Sequence, residues 1–406
     1  MSRRAFITAF GSAVIGAMAM TTTVAALEVP KPEPAQKFLG ANFTGPNYTV
    51  APTAGSDGVM RIFNVTTPYG QYQFDGAEFT KMRLHELKAV SILEKVSQSE
   101  AFATAFGRAA IAPAKYGVDL LTHPIDTIGN SIGGVANMFD RVGAGLANNR
   151  ADRDSLPDSL LGVSDSQREL AGELGVDPYS DFPPLVEKLK QVAGALAGGG
   201  LPVKAGLAMI PGGVGLAISS ASSVGSAKET LTAKTAAQVI AESRKILLSL
   251  GVSEETTSRF LENRNFTPAD LLIMSRALAK LGTQNTETFV ALAAQATTRH
   301  AAFYQRIDAE LLAARSAELG GIAGFITIAG HVVTVTRSGN VVAAFPFDGL
   351  VWTAVPQRTF ADVTTGLPPG SGTPVFATTG EVTPMAAAEI AKLGWKVVRV
   401  KSPLPL

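Results

Sequence analysis

Three patterns of apolar and polar positions succeed one another along the chain. Between Tyr48 and Phe79 β-branched and aromatic residues dominate, with Val59-Met60-Arg61-Ile62-Phe63-Asn64-Val65 and Gln71-Tyr72-Gln73-Phe74 on either side of Pro68-Tyr69-Gly70. Two short runs around a Pro/Gly turn predict a β-hairpin. Helical spacing begins near Glu78, with Phe79, Met82, Leu87, Val90 and Leu93 on the apolar side, and is expected to stop before Pro113. Here His85, among Arg83, Glu86 and Lys88, is placed on a solvated face.

Residues 165–316 form the clearest helical block. Ser164 with Gln167 gives a capping-box pattern, Gly175 stands where a C-terminal stop belongs, and Thr267-Pro268-Ala269-Asp270 places proline at a first helical position. The longest helix is expected from Thr286 to Glu318, on the stripe Phe289, Leu292, Ala296, His300, Phe303, Ile307 and Leu311. After Gly320-Gly321 the alternation becomes strand-like, and Gly339-Asn340 predicts a hairpin turn before Val341–Phe345. A last unit reads as strand 375–378, helix 384–393 capped by Thr383, and strand 395–400. The order predicts an α+β fold: a mainly helical body, an N-terminal β-hairpin, and a C-terminal β meander followed by a small βαβ unit.

The expected divisions are a signal peptide at 1–26, a proline-rich linker at 27–46 and the N-terminal hairpin at 47–77. The helical domain follows at 78–319, with a Gly/Ala-rich segment at 192–227. The β meander occupies 320–365, and a Pro/Gly linker with the βαβ unit occupies 366–406. The linker assignment rests on Pro30, Pro32, Pro34 and Pro46, because proline blocks both helix and ladder hydrogen bonds. The signal assignment rests on Arg3-Arg4 before an uncharged stretch from Ala5 to Leu27 that contains Val24-Ala25-Ala26. That is a charged start, an apolar run and a small-residue cut site after Ala26, and the paired arginines followed by x-Phe-Ile favour a twin-arginine route. Residence in the periplasm or extracytoplasmic envelope follows.

Composition narrows the chemistry. A chain of 406 residues that is 46% hydrophobic and 17% charged belongs with folded proteins. Its net charge of +1 with dispersed Lys and Arg gives no footprint for nucleic acid. Without cysteine it has neither disulfides nor thiolate chemistry.

The motif that most resembles catalysis is Gly129-Asn130-Ser131-Ile132-Gly133, a match to the G-x-S-x-G elbow of serine hydrolases. An elbow needs a buried strand before the serine and later β/α units that deliver an acid and a histidine. Pro124 interrupts the first, and a long helical block replaces the second. Ser131 is therefore kept as the weaker catalytic candidate, with His300 or His331 as its base. The four histidines never fall at metal-ligand spacing, residues 152–163 lack the glycine and glutamate of a calcium loop, and no glycine run is followed by Lys-Ser/Thr. No metal or other cofactor is expected.

Residues 205–227 carry no charge, and Gly213, Ala217, Ala221 and Gly225 repeat every four residues. Such a ladder lets helix backbones approach closely, either between packed helices or where a helix meets lipid. Three function classes remain. The first is a non-catalytic envelope protein with a structural or interaction role, whose partner is an envelope protein or lipid. The second is a periplasmic protein for an apolar ligand, with a sizeable pocket in the helical block. The third is a hydrolase using Ser131.

Overall fold

The computed structural model describes residues 27–99, 102, 162–208 and 223–404. Within these residues the α+β expectation holds, and in chain order a helical body separates an N-terminal sheet from a C-terminal one.

The first sheet is built around β5, Arg61–Thr67. The hairpin partner β6, Gly70–Asp75, lies along one edge, while β3, Tyr48–Val50, and β4, Thr53–Ser56, share the other. Residues 27–46 are not a loose linker. They carry β1, Glu33–Pro34, paired with β4, then the helix α1, Ala35–Leu39, a 3-10 turn at Gly40–Phe43, and β2, Thr44–Gly45, paired with β3. Proline is tolerated here because β1 is a two-residue edge strand. Helix α2, Ala77–Gln98, buries Phe79, Leu84, Leu87, Val90 and Leu93 against this sheet and the helices that follow. Its opposite side is not simply solvated: Arg83 and Glu86 are also buried.

The helical body comprises α3, Asp165–Leu174; α4, Pro183–Gly198; α5, Val203–Ala208; α6, Ser223–Ala233; α7, Ala236–Ser249; α8, Glu254–Leu261; α9, Pro268–Leu281; α10, Thr286–Ala293; and α11, Arg299–Arg315. The predicted cap positions are used, although the Ser164–Gln167 box shows only the bond to the Ser164 hydroxyl. Ser164 accepts from Gln167 N and Gly175 closes α3 at φ 67°, while Thr267 and Asp270 form a reciprocal capping box.

The single helix expected over 286–318 is two, α10 and α11. The break is stabilised from outside. Asn263 Nδ2 donates to the carbonyls of Ala294 and Ala296 at 3.1 and 2.9 Å, Asn265 Nδ2 donates to Ala296 O at 2.9 Å, and Thr298 caps α11 through Ala301 N. Carbonyls released by ending one helix thus find donors.

The C-terminal meander and βαβ unit are one sheet. Its order is β13 (Lys396–Arg399), β11 (Val375–Thr378), β9 (Val341–Phe345), β8 (His331–Thr336), β7 (Ile322–Ile328). Strands β7 to β9 are antiparallel, and β9, β11 and β13 are parallel. Parallel neighbours need a crossover. Helix α12, Ala354–Thr365, joins β9 to β11, and α13, Pro384–Lys392, joins β11 to β13; short strands β10, Gly349–Leu350, and β12, Glu381–Val382, pair beside them. The Pro/Gly stretch 366–374 is the loop after α12.

Both faces of this sheet are covered. Val341, Ala343 and Phe376 pack with Phe360 and Trp395 in the core shared with the first sheet and α2, while Val342, Ala344 and Ala377 pack in the core of α7 to α11. Burial on two faces explains why β9 reads as a continuous apolar run.

Candidate functional site

Ser131 and its elbow lie outside the described residues, as do Gly213, Ala217 and Ala221. Gly225 falls in the first turn of α6. The described flanks of the Gly/Ala-rich segment are packed into protein. A Cβ on Gly206 would meet Leu196 Cδ2 at 2.4 Å, one on Gly172 would meet Thr232 Cγ2 at 2.4 Å, and Ala227 and Leu231 are buried.

The proposed bases are placed by the fold. The His300 ring lies tilted against Phe79, with centroids 4.0 Å apart, and its Nε2 accepts a hydrogen bond from Asp75 N at 3.2 Å. Burial, reinforced by Arg83 and Arg299, pushes its pKa down to about 3. It is a neutral acceptor inside the core. His331 opens β8 and lines a cavity described below. His85 is not solvated, because its Nε2 lies 3.2 Å from Leu174 O and burial lowers its pKa.

Around His300 runs a chain of ion pairs whose arginines are largely buried. Arg83 Nη2 donates to both oxygens of Asp181 at 2.8 and 2.9 Å, and its Nη1 donates to Glu86 at 2.8 Å. Ser180 Oγ donates to the other Glu86 oxygen at 2.6 Å. Arg299 continues the chain, with Nε 3.1 Å from Asp181 and Nη1 2.8 Å from Asp270, and Arg306 Nε stands 3.1 Å from the other Asp270 oxygen. Burial works to raise Asp181, but Arg83 and Arg299 outweigh it and hold the carboxyl below the usual range. Among the described residues Asp177 makes no ion pair, although Arg299 acts on it weakly. It accepts from Thr267 Oγ1 at 2.6 Å and is pushed up to about 7 by burial and by Asp270.

A second junction surrounds Arg61. Asp348, from the loop after β9, accepts from Arg61 N at 2.8 Å and from Ala77 N at 2.9 Å, so its carboxylate caps the amino end of α2. A long-range cap of this kind satisfies a helix-terminal donor and favours the anion. Burial nevertheless raises Asp348 to about 7, with Glu78 adding to the shift. Tyr304 packs against the same turn. Its hydroxyl is buried with no hydrogen-bond partner among the described residues, and a Cβ on Gly76, where φ is +86°, would meet it at 1.8 Å. Asp75, raised to about 6 by burial and by Asp57, completes the acidic side.

The same arginine holds the chain's first described segment. Arg61 Nη1 donates to Lys31 O at 3.0 Å, its Nη2 pairs with Glu33, and Lys37 bridges Glu33 and Glu381 at 2.7 and 2.8 Å. Further forward, Glu28 N donates to Trp352 O at 2.9 Å, while Glu28 Oε2 accepts from Trp352 N at 2.8 Å and from the Thr383 hydroxyl that caps α13. Residues 27–34 therefore run from the C-terminal unit, where Glu28 is held, to the first sheet, which Glu33–Pro34 join as β1.

One small cavity lies between the C-terminal sheet and α12. It has a volume of about 30 Å³, and its walls include Phe345, Phe347, Phe360, Phe376 and Trp395, with His331 at the start of β8. It is not in the helical block, and it is far below the roughly 300–1,000 Å³ of sites for small-molecule ligands. Among the described residues no group of three or more His, Asp or Glu is placed to hold a metal ion, and no helix is long and apolar enough to cross a membrane.

Arg61, Asp348 and Glu28 carry no motif that marks them in the sequence. Each works through a partner far along the chain, and the sole local trace was the unexplained charge of Arg61 inside an apolar run. Comparison of the chain with protein-family models, curated proteins and solved structures finds no match.

Proposed function

We propose that the chain is an exported, non-catalytic envelope protein with a structural or interaction role. The observation that carries this reading is the use made of its ionisable side chains. Arg83, Asp181, Arg299 and Asp270 form one line of ion pairs across α2, the loop before α4, α9 and α11, and His300 is a neutral acceptor beneath Phe79. Groups suited to acid–base chemistry are thus engaged in joining elements. A general base needs an available nitrogen near neutral pKa, and His300 has neither. Export rests on Arg3-Arg4 and Val24-Ala25-Ala26.

Membrane contact enters this reading through the Gly/Ala-rich segment, whose described flanks are packed into protein. The experiment is fractionation of expressing cells, with liposome flotation of residues 27–406 and labelling by a serine-reactive phosphonate. Extracytoplasmic protein without labelling is expected. Cytoplasmic residence overturns export, and labelling of the wild type but not of Ser131→Ala overturns the non-catalytic reading.

A further inference from the structure

We propose that the outer edge of β13 is a docking edge, where an extended, acidic segment of a partner protein joins the C-terminal sheet as a further strand. This gives the interaction role proposed above a surface; it rests on that role and not on export.

Among the described residues, the C-terminal sheet closes one of its edges and leaves the other bare. At the β7 edge Gln284 N donates to Ala323 O at 2.9 Å, and Phe325 N donates to Gln284 O at 3.2 Å, so the chain's own backbone covers that side. Strand β13 is the other edge and pairs in parallel with β11. Lys396 N donates to Pro374 O and Val400 N to Thr378 O, both at 2.9 Å. Bonding direction alternates along a strand, so Val397 and Arg399 turn their N–H and C=O groups away from β11. No described strand or loop takes them up. Unpaired groups of this kind are a template for another strand.

The edge is held from both ends. Before it, the buried Trp395 donates from Nε1 to Thr364 Oγ1 at 2.8 Å; after it, Arg315 donates from Nε to Lys401 O at 3.2 Å. Val397 packs on the core that contains Phe376, and Val398 on the core of α7 to α11, so both faces are occupied and the edge is what remains. A strand fixed in this way loses little freedom when another joins it. Its charge selects the partner. From Lys392 to Lys401 the chain has four basic residues and no acidic one. Lys392 is engaged by Glu389 at 2.6 Å, and Glu381, which feels Arg399, is held by Lys37 at 2.8 Å. Lys396, Arg399 and Lys401 are exposed. A second copy would set these cations against their own kind at a strand spacing of about 4.8 Å, which opposes pairing. A strand bearing Glu or Asp meets attraction instead, and its backbone supplies the bonds that Val397 and Arg399 lack. Strand addition draws its affinity from such main-chain bonds and its selectivity from the side chains beside them.

The experiment titrates the purified full chain into a fluorescein-labelled peptide, acetyl-Thr-Glu-Val-Val-Glu-Thr-amide, and into the same peptide with Lys in place of Glu. The two Glu are three positions apart, as Lys396 and Arg399 are. Anisotropy gives affinity, and hydrogen exchange resolved to single residues gives the place. Two variants are compared with wild type: Lys396→Glu with Arg399→Glu, and Val397→Pro, which removes an outward N–H without touching the ladder to β11. The charge variant keeps the test intact if the proline variant folds poorly. The acidic peptide is expected to bind and to slow exchange at Val397 and Arg399. Both variants should bind it at least about tenfold more weakly, since one loses a main-chain bond and the other turns attractions into repulsions. The charge variant should favour the Lys peptide. An acidic peptide that does not bind, that binds without protecting Val397 and Arg399, or that binds both variants as it binds wild type overturns the proposal. A dimer that is lost in Val397→Pro gives the edge to a second copy and overturns it too. None of these outcomes touches export, which cell fractionation decides.

Discussion

Replacing Arg83 by methionine removes the guanidinium that joins α2 to the loop before α4 while keeping much of the side chain's volume. The Arg83 and Glu86 side chains are 5% and 4% exposed, so the loss strands a buried carboxylate whose remaining side-chain partner is the Ser180 hydroxyl. Breaking such a pair from one side costs about 3–5 kcal/mol. Asp181 adds little, because its side chain is 42% exposed and it keeps Arg299. Arg83 also lies 4.9 Å from the Phe79 ring and 5.2 Å from Phe182, and methionine retains only the packing part of those contacts. The assay is urea unfolding read by far-ultraviolet circular dichroism and by tryptophan fluorescence. Both tryptophans, Trp352 and Trp395, belong to the C-terminal unit, so agreement of the two probes also tests whether the body unfolds as one. Arg83→Met is expected to lose about 3–5 kcal/mol, and adding Glu86→Gln to restore about 1–3 kcal/mol by neutralising the stranded group. A single variant within ~1 kcal/mol of wild type, or a double variant with no recovery, refutes the view that uncompensated charge is what the pair prevents.

Three further outcomes follow from the same geometry. Asp75, Asp177 and Asp348 have folded pKa values raised to about 6, 7 and 7 by burial, so the stability they contribute is full below the unfolded carboxylate pKa and is lost as pH rises through 6 to 7. His300, lowered to about 3, acts oppositely, contributing above the unfolded histidine pKa and losing that contribution as pH falls toward 3. The melting temperature should therefore be higher at pH 6.5 than at pH 8.5, and a flat or reversed profile there contradicts the raised carboxyls. Gly76→Ala should cost at least ~2 kcal/mol, since it adds a clash with Tyr304 to a positive φ. Tyr304→Phe alone should be neutral or stabilising, because the hydroxyl is buried without a partner among the described residues, and it should soften Gly76→Ala; calorimetry of the three variants checks this. Val363→Ile, on the cavity wall, should gain up to ~0.8 kcal/mol if the added methylene enters the void, and a loss of stability in urea unfolding counts against that room.

The class of the fold was legible because helix and strand periods are local. Caps at Ser164, Thr267 and Thr383 were legible too, since the side chain and the backbone group it serves are three residues apart. What escaped depends on long-range partners. The stripe from Phe289 to Leu311 continues through Ala294 to Thr298 without changing step, and the break there is made favourable by Asn263 and Asn265, 31 positions from the carbonyls they serve at Ala294 and Ala296. The crossover helix α12 escaped because Pro356 sits in its first turn and its apolar residues are few, with Phe360 and Val363 carrying its burial. The proline-rich stretch looked like a linker because its order comes from Arg61, Trp352 and Thr383. The charged junctions were hidden for the same reason: Arg83 and Asp181 are 98 positions apart, and Asp348 lies 271 positions from the helix it caps.

The most direct test of the central claim is the mass of the amino-terminal peptide of the protein that accumulates in cells, taken from the extracytoplasmic fraction. An exported protein of the proposed kind yields a peptide beginning at Leu27. Accumulation in the cytoplasm with an intact Met1 or Ser2 terminus would contradict it.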